Sequence, residues 1–205
     1  MQKIVCLTAL VLVLFASFGE AAPSAGGETG TLAAPSADFM RAGQFHLGWQ
    51  YRSHQRTAAA AAALTNRFEF SILQRSRSGH QTVEAGFKYA VRPETIFTPG
   101  IAVGVEDVAA EYQRSVYAVM TKELPYGIRV HAGMGSGRYR GGFAAAEVRL
   151  FPQKQPGMFP DTTLYAEHAD RHAVYGIRIA LIRGASFVAG IDGHEHFVGL
   201  SYNFY

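Results

Sequence analysis

The stretch Gln44-Phe45-His46-Leu47-Gly48-Trp49-Gln50-Tyr51-Arg52 decides the fold. Phe45, Leu47, Trp49 and Tyr51 fall on one side of an extended chain, and Gln44, His46, Gly48, Gln50 and Arg52 on the other. A period of two belongs to a strand with unlike faces and excludes an amphipathic helix here. The alternation then returns along the chain. Phe68, Phe70 and Ile72 oppose Arg67, Glu69, Ser71 and Arg75, while Val83, Ala85, Phe87 and Tyr89 oppose Thr82, Glu84, Gly86 and Lys88. It recurs in 101–106, 128–135, 144–150, 175–181 and 198–204. Less regular runs at 112–122, 163–169 and 185–192 bring the count to eleven. Turn residues separate them, among them Arg77-Ser78-Gly79, Arg92-Pro93, Pro125-Tyr126-Gly127 and Asp192-Gly193.

Three stretches break the pattern. Ala58 to Ala63 is low in complexity and reads as a helical turn or a flexible loop, with no chemistry. Pro152 to Pro160 is a longer loop. Thr31 to Phe39 would make a twelfth run, but Pro35 restricts it to an edge strand or an inner latch. The expectation is an all-β chain: a single antiparallel up-and-down transmembrane β-barrel of 10–12 strands, because closure leaves no free edge.

Composition narrows the class. The chain has 205 residues, 48% hydrophobic and 17% charged, which gives one folded domain and excludes general disorder. A formal charge of +3 offers no argument for nucleic acid. Lys3, the apolar run Ile4–Phe18 and the small residues Gly19 and Ala21 form a signal peptide over 1–21. The expected organisation is that leader, a flexible linker over 22–28 and the barrel over 29–205. The single cysteine, Cys6, lies in the leader, so the mature chain has no disulfide, cysteine nucleophile or cysteine-bound metal.

Alternation alone leaves open which face looks inward. A secreted soluble barrel would line its interior with the apolar face and bind an apolar ligand; an outer-membrane barrel would turn that face to lipid. Three features bear on the choice. No charged residue falls on the apolar face of the eight regular runs, where an Arg or Lys at mid-bilayer would cost about 2–4 kcal/mol. The polar face mixes Gly, Ser and Ala with long Arg and Glu side chains, as a narrow lumen requires. Aromatic residues crowd the strand ends, as in the interfacial belts of membrane barrels. The bacterial outer membrane is therefore the expected location, with its lipid as a partner.

Several short motifs resemble one family. Gly30-Thr31-Leu32, Pro35-Ser36-Ala37, Gly43 and Gly48 are similar to the opening of YjbH-type outer-membrane proteins. The similarity continues through Thr121-Lys122-Glu123-Leu124-Pro125, Phe143 to Leu150, Leu164-Tyr165-Ala166-Glu167-His168, Tyr175-Gly176-Ile177-Arg178 and the Val198 to Phe204 ending. The resemblance implies an outer-membrane barrel tied to exopolysaccharide production or export, with export proteins as further partners.

Candidate sites follow from the polar face. Arg129, Arg149 and Arg178 with Glu147 and Glu167 would face the lumen and either contact an anionic polysaccharide or brace a narrow barrel by ion pairing. No metal or cofactor is assigned; were a metal present, its ligands would be His168, His172, His194 and His196. The chain is read as non-enzymatic, with no catalytic residue. A lipid-modifying, deacylase-type enzyme is the alternative, and it would need Ser186, Ser201 or Ser78 to meet one of the histidines.

Overall fold

The computed structural model describes residues 24, 27–150, 160–169, 171–182 and 184–204. Among the described residues twelve strands follow one another: β1 Phe45–Arg52, β2 Gln55–Thr65, β3 Phe68–Arg77, β4 His80–Arg92, β5 Gly100–Glu106, β6 Ser115–Leu124, β7 Ile128–Gly135, β8 Phe143–Leu150, β9 Thr162–Ala169, β10 His172–Ile182, β11 Ala185–Asp192 and β12 Glu195–Phe204. Each pairs with its neighbours in sequence, and β1 pairs with β12 to close the barrel. Trp49 lies opposite Leu200 at that seam, and the rings of Phe45 and Phe204 stack at 4.2 Å. The tight β3–β4 turn places Ser78 and Gly79 at φ 50° and 86°. Two positive angles in succession match the right-handed twist of the strands they join.

All eleven expected runs are strands, and the twelfth is the alanine run rather than Thr31–Phe39. Alanine shows no contrast between faces, so β2 has no readable period. Its backbone is nevertheless paired on both sides, Ala58 with Trp49 and with Gln74. Ala61 and Ala63 point inward and are buried against Met40, which explains why small side chains stand there. Residues 27–40 form an inner segment enclosed by the wall, with one bridge, Gly30 to Pro35, inside it. Thr29, Thr31, Ala34 and Ser36 are all buried. Ser24, Gly27 and Glu28, the described part of the stretch expected as a linker, are buried too, Glu28 to 1% exposure. The leader 1–21 and residues 151–159 of the expected loop lie outside the described residues.

The strand faces divide as a membrane barrel requires. Leu47 and Trp49 are each 46% exposed and Leu200 53%, whereas Arg129 and Arg178 are 8% exposed. The apolar side chains point outward and the charges inward. That excludes the soluble barrel, whose apolar face would be enclosed.

Inward aromatic rings lie over glycines directly across the ladder. Tyr117 pairs with Gly104, Phe143 with Gly133 and Phe197 with Gly190. A Cβ on Gly133 would come within 2.3 Å of the Phe143 ring and 2.4 Å of the Ala118 carbonyl. Gly133→Ala is therefore expected to cost about 1–3 kcal/mol through overpacking. A lower urea midpoint for the reconstituted barrel would show this; an unchanged midpoint would mean the ring is free to move.

Candidate functional site

Strand register turns alternate residues into the lumen, and on neighbouring strands these carry Glu69, Lys88, Arg129, Glu147, Glu167 and Arg178. Their main partner is the inner segment. The Glu167 carboxylate on β9 accepts three consecutive backbone N–H groups, from Leu32 at 2.6 Å, Ala33 at 2.9 Å and Ala34 at 3.0 Å. Across the barrel on β3, Glu69 accepts from Met40 N–H at 2.6 Å and the Thr29 hydroxyl at 2.7 Å. Lys88 on β4 donates to the carbonyls of Thr29 at 2.8 Å and Asp38 at 2.6 Å, and to the Thr29 hydroxyl. Its Nζ lies 3.9 Å from Glu69, with both side chains fully enclosed.

Arg178 on β10 donates to the Tyr165 hydroxyl at 2.7 Å and the Thr31 carbonyl at 3.2 Å. Arg129 on β7 is held by four carboxylates: Asp38 of the inner segment, Glu94 at 3.0 Å, Glu123 at 3.2 Å and Glu147 at 3.5 Å. His46 on β1 bonds the Gly27 carbonyl, and Thr121 on β6 accepts Ala37 N–H at 2.7 Å. Charged bonds of this kind are worth more than neutral ones, particularly away from water. The segment is thus fastened from seven strands at once.

Of the five charged residues expected at the lumen, Arg129, Glu147, Glu167 and Arg178 belong to this network. Arg149 lies on the same inward file of β8, opposite Thr163 and close to the mouth where β1 begins and β12 ends. Sequence reasoning missed Glu69, Lys88 and His46 as anchors, although their inward position was readable from the period of two.

Nearer the opposite mouth, Tyr139 in the β7–β8 connection donates to Glu106 at 2.6 Å, and Arg138 reaches the same carboxylate at 3.0 Å. Burial, with Glu106 beside it, pushes the Tyr139 hydroxyl well above the usual tyrosine range, so it remains a donor.

His168, His172, His194 and His196 are all exposed, and among the described residues no group of three or more His, Cys, Asp or Glu is placed to hold a metal. Ser186 and Ser201 face each other across β11 and β12, and Ser201 stands seven positions along from His194, roughly 23 Å of extended strand. Thr121, His131 and Glu147 do form a row, with hydroxyl to imidazole at 2.8 Å and imidazole to carboxylate at 3.8 Å. The Thr121 hydroxyl is already engaged by Ala37 and covered by the inner segment, so this row serves as a brace.

Comparison with known proteins agrees with the architecture. The chain is similar in structure to the KdgM porin, at 10% identity over 79% of this chain and 99% of that one, with a TM-score of 0.56. It is similar to the same extent, at a TM-score of 0.55, to the KdgM porin in complex with disordered oligogalacturonate. At such identity the likeness shows the fold alone. No curated protein matches the sequence. The YjbH family model, described as exopolysaccharide biosynthesis protein YbjH, matches residues 24–158, the inner segment and the wall through β8. The chain belongs to the YjbH exopolysaccharide biosynthesis family.

Proposed function

We propose that the chain, after loss of the leader 1–21, is a non-enzymatic barrel of the bacterial outer membrane that assists production or export of an exopolysaccharide. The start of β1 and the end of β12 then lie on the periplasmic side. The observation that carries the reading is the lumen wall, where arginine, lysine and glutamate recur strand after strand inside an apolar exterior. Such a surface suits an anionic glycan, and a solved relative in fold is in complex with oligogalacturonate. The inner segment already engages Arg129 and Arg178, so a glycan meets Arg149 first and reaches the others only as the segment yields. Other exopolysaccharide-export proteins are the partners this role requires.

The test is secretion. Arg149→Ala combined with Arg178→Ala is expected to lower secreted polysaccharide while the barrel still assembles, read as a band whose gel mobility shifts on heating. Unchanged secretion with an assembled barrel would remove the glycan role.

A further inference from the structure

The mouth away from the start of β1 and the end of β12, made by the turns β1–β2, β3–β4, β5–β6, β7–β8, β9–β10 and β11–β12, is basic. Among the described residues its exposed acids are Glu111 and Glu195, against exposed Arg56, Arg77, Arg114, Arg140 and Arg171. The exposed histidines of the described chain also gather there, none of them at the other mouth. The terminal mouth, by contrast, mixes Arg41, Arg67, Arg92 and Lys122 with Asp38, Glu94, Glu123 and Asp161.

The position of this charge matters more than its amount. On three strands the outward file is apolar and then ends at a basic residue at this mouth. On β2 the file Leu64, Ala62, Ala60, Ala58 ends at Arg56; on β12, Phe204, Tyr202, Leu200, Val198 ends at His196; on β9, Leu164 and Ala166 end at His168. From Phe204 to His196 the β12 file covers roughly 27 Å of strand, which at a tilt of about 40° is about 21 Å of height against an apolar band of about 25 Å. The basic groups therefore stand at the edge of the acyl region and look sideways, away from the lumen. Arg114, Arg140 and Arg171 add to them from the connecting loops.

The geometry points to a collar that binds the phosphorylated sugar head groups of the surrounding leaflet, the chemistry of lipid A. A polymer passing through the lumen would be met by inward side chains, whereas this collar faces what surrounds the barrel. Guanidinium groups hold phosphate oxygens with paired, directional bonds. The inference rests on the outer-membrane reading above.

The full-length barrel, in detergent, is titrated with bis-phosphorylated lipid A, with the same lipid after phosphate removal, with glucosamine 1-phosphate and with a soluble acidic polysaccharide. The variant carries Arg56→Gln, Arg114→Gln, Arg140→Gln and Arg171→Gln, and heat-modifiable mobility confirms that each sample is a folded barrel. The phosphorylated lipid is expected to bind the native chain far more tightly than the dephosphorylated lipid or the soluble phosphate. The fourfold variant is expected to lose affinity on the order of a hundredfold. Equal binding of both lipids, an unaffected variant, or variant-sensitive binding of the acidic polysaccharide without the lipid would each overturn the collar. Loss of the heat-modifiable band in the native chain would instead overturn the membrane barrel itself.

Discussion

A chain lacking residues 24–40 is expected to conduct ions across a planar bilayer in discrete steps, where the intact chain is silent. Barrel width grows with strand number; about eight strands leave a lumen that side chains fill, and 16–18 leave an aqueous channel. Twelve strands fall between, with space for an additional piece of chain. Here that space holds residues 27–40, bonded to inward groups of β1, β3, β4, β6, β7, β9 and β10. The wall itself is joined by backbone pairing that does not involve the segment, so its removal leaves the barrel closed on itself. Glu167→Ala is a milder form of the experiment, since it removes the acceptor shared by three backbone N–H groups. It is expected to give brief openings. Silent bilayers from a folded deletion variant would mean that the wall side chains alone close the lumen.

The second large effect concerns the enclosed pair Lys88 and Glu69. Lys88→Met removes a cation from beside a fully enclosed carboxylate and leaves the Thr29 carbonyl without its donor, while the Asp38 carbonyl keeps the Thr29 hydroxyl within hydrogen-bond distance. Breaking a buried pair from one side typically costs about 3–5 kcal/mol, because the remaining charge stays buried. The urea midpoint of the reconstituted barrel is expected to fall accordingly. Adding Glu69→Gln removes that charge and keeps an acceptor for Met40 N–H, so a large part of the loss is expected to return. A double variant no more stable than Lys88→Met would assign the effect to lost hydrogen bonds instead of the uncompensated charge.

The outward face was legible because a strand displays its environment at every second residue. Val198, Leu200, Tyr202 and Phe204 need no partner to be read. The alanine strand was not legible: Ala58 to Ala63 carries no contrast, and its strand state is imposed by β1 and β3 on either side. The rings over Gly104, Gly133 and Gly190 become visible only once the register is known, since each pair is joined through a turn of unknown geometry. The site was half legible. Arg129, Glu147, Glu167 and Arg178 could be placed on the inward face, but their role could not. Glu167 meets backbone N–H groups more than 130 positions earlier, and backbone groups leave no mark in a sequence. The sole pointer to an inner segment was Pro35 among small residues, which permitted a latch and did not require one.

The outward apolar face must touch acyl chains if the barrel spans the membrane. Trp49, the only tryptophan in the chain, sits on that face and is 46% exposed. Reconstituting the native barrel in lipids brominated along their acyl chains tests the orientation without any substitution. Strong quenching of Trp49 emission by the brominated chains, with little by aqueous iodide, is the expected result. Quenching by iodide with no response to bromine would place Trp49 in water and contradict the membrane orientation.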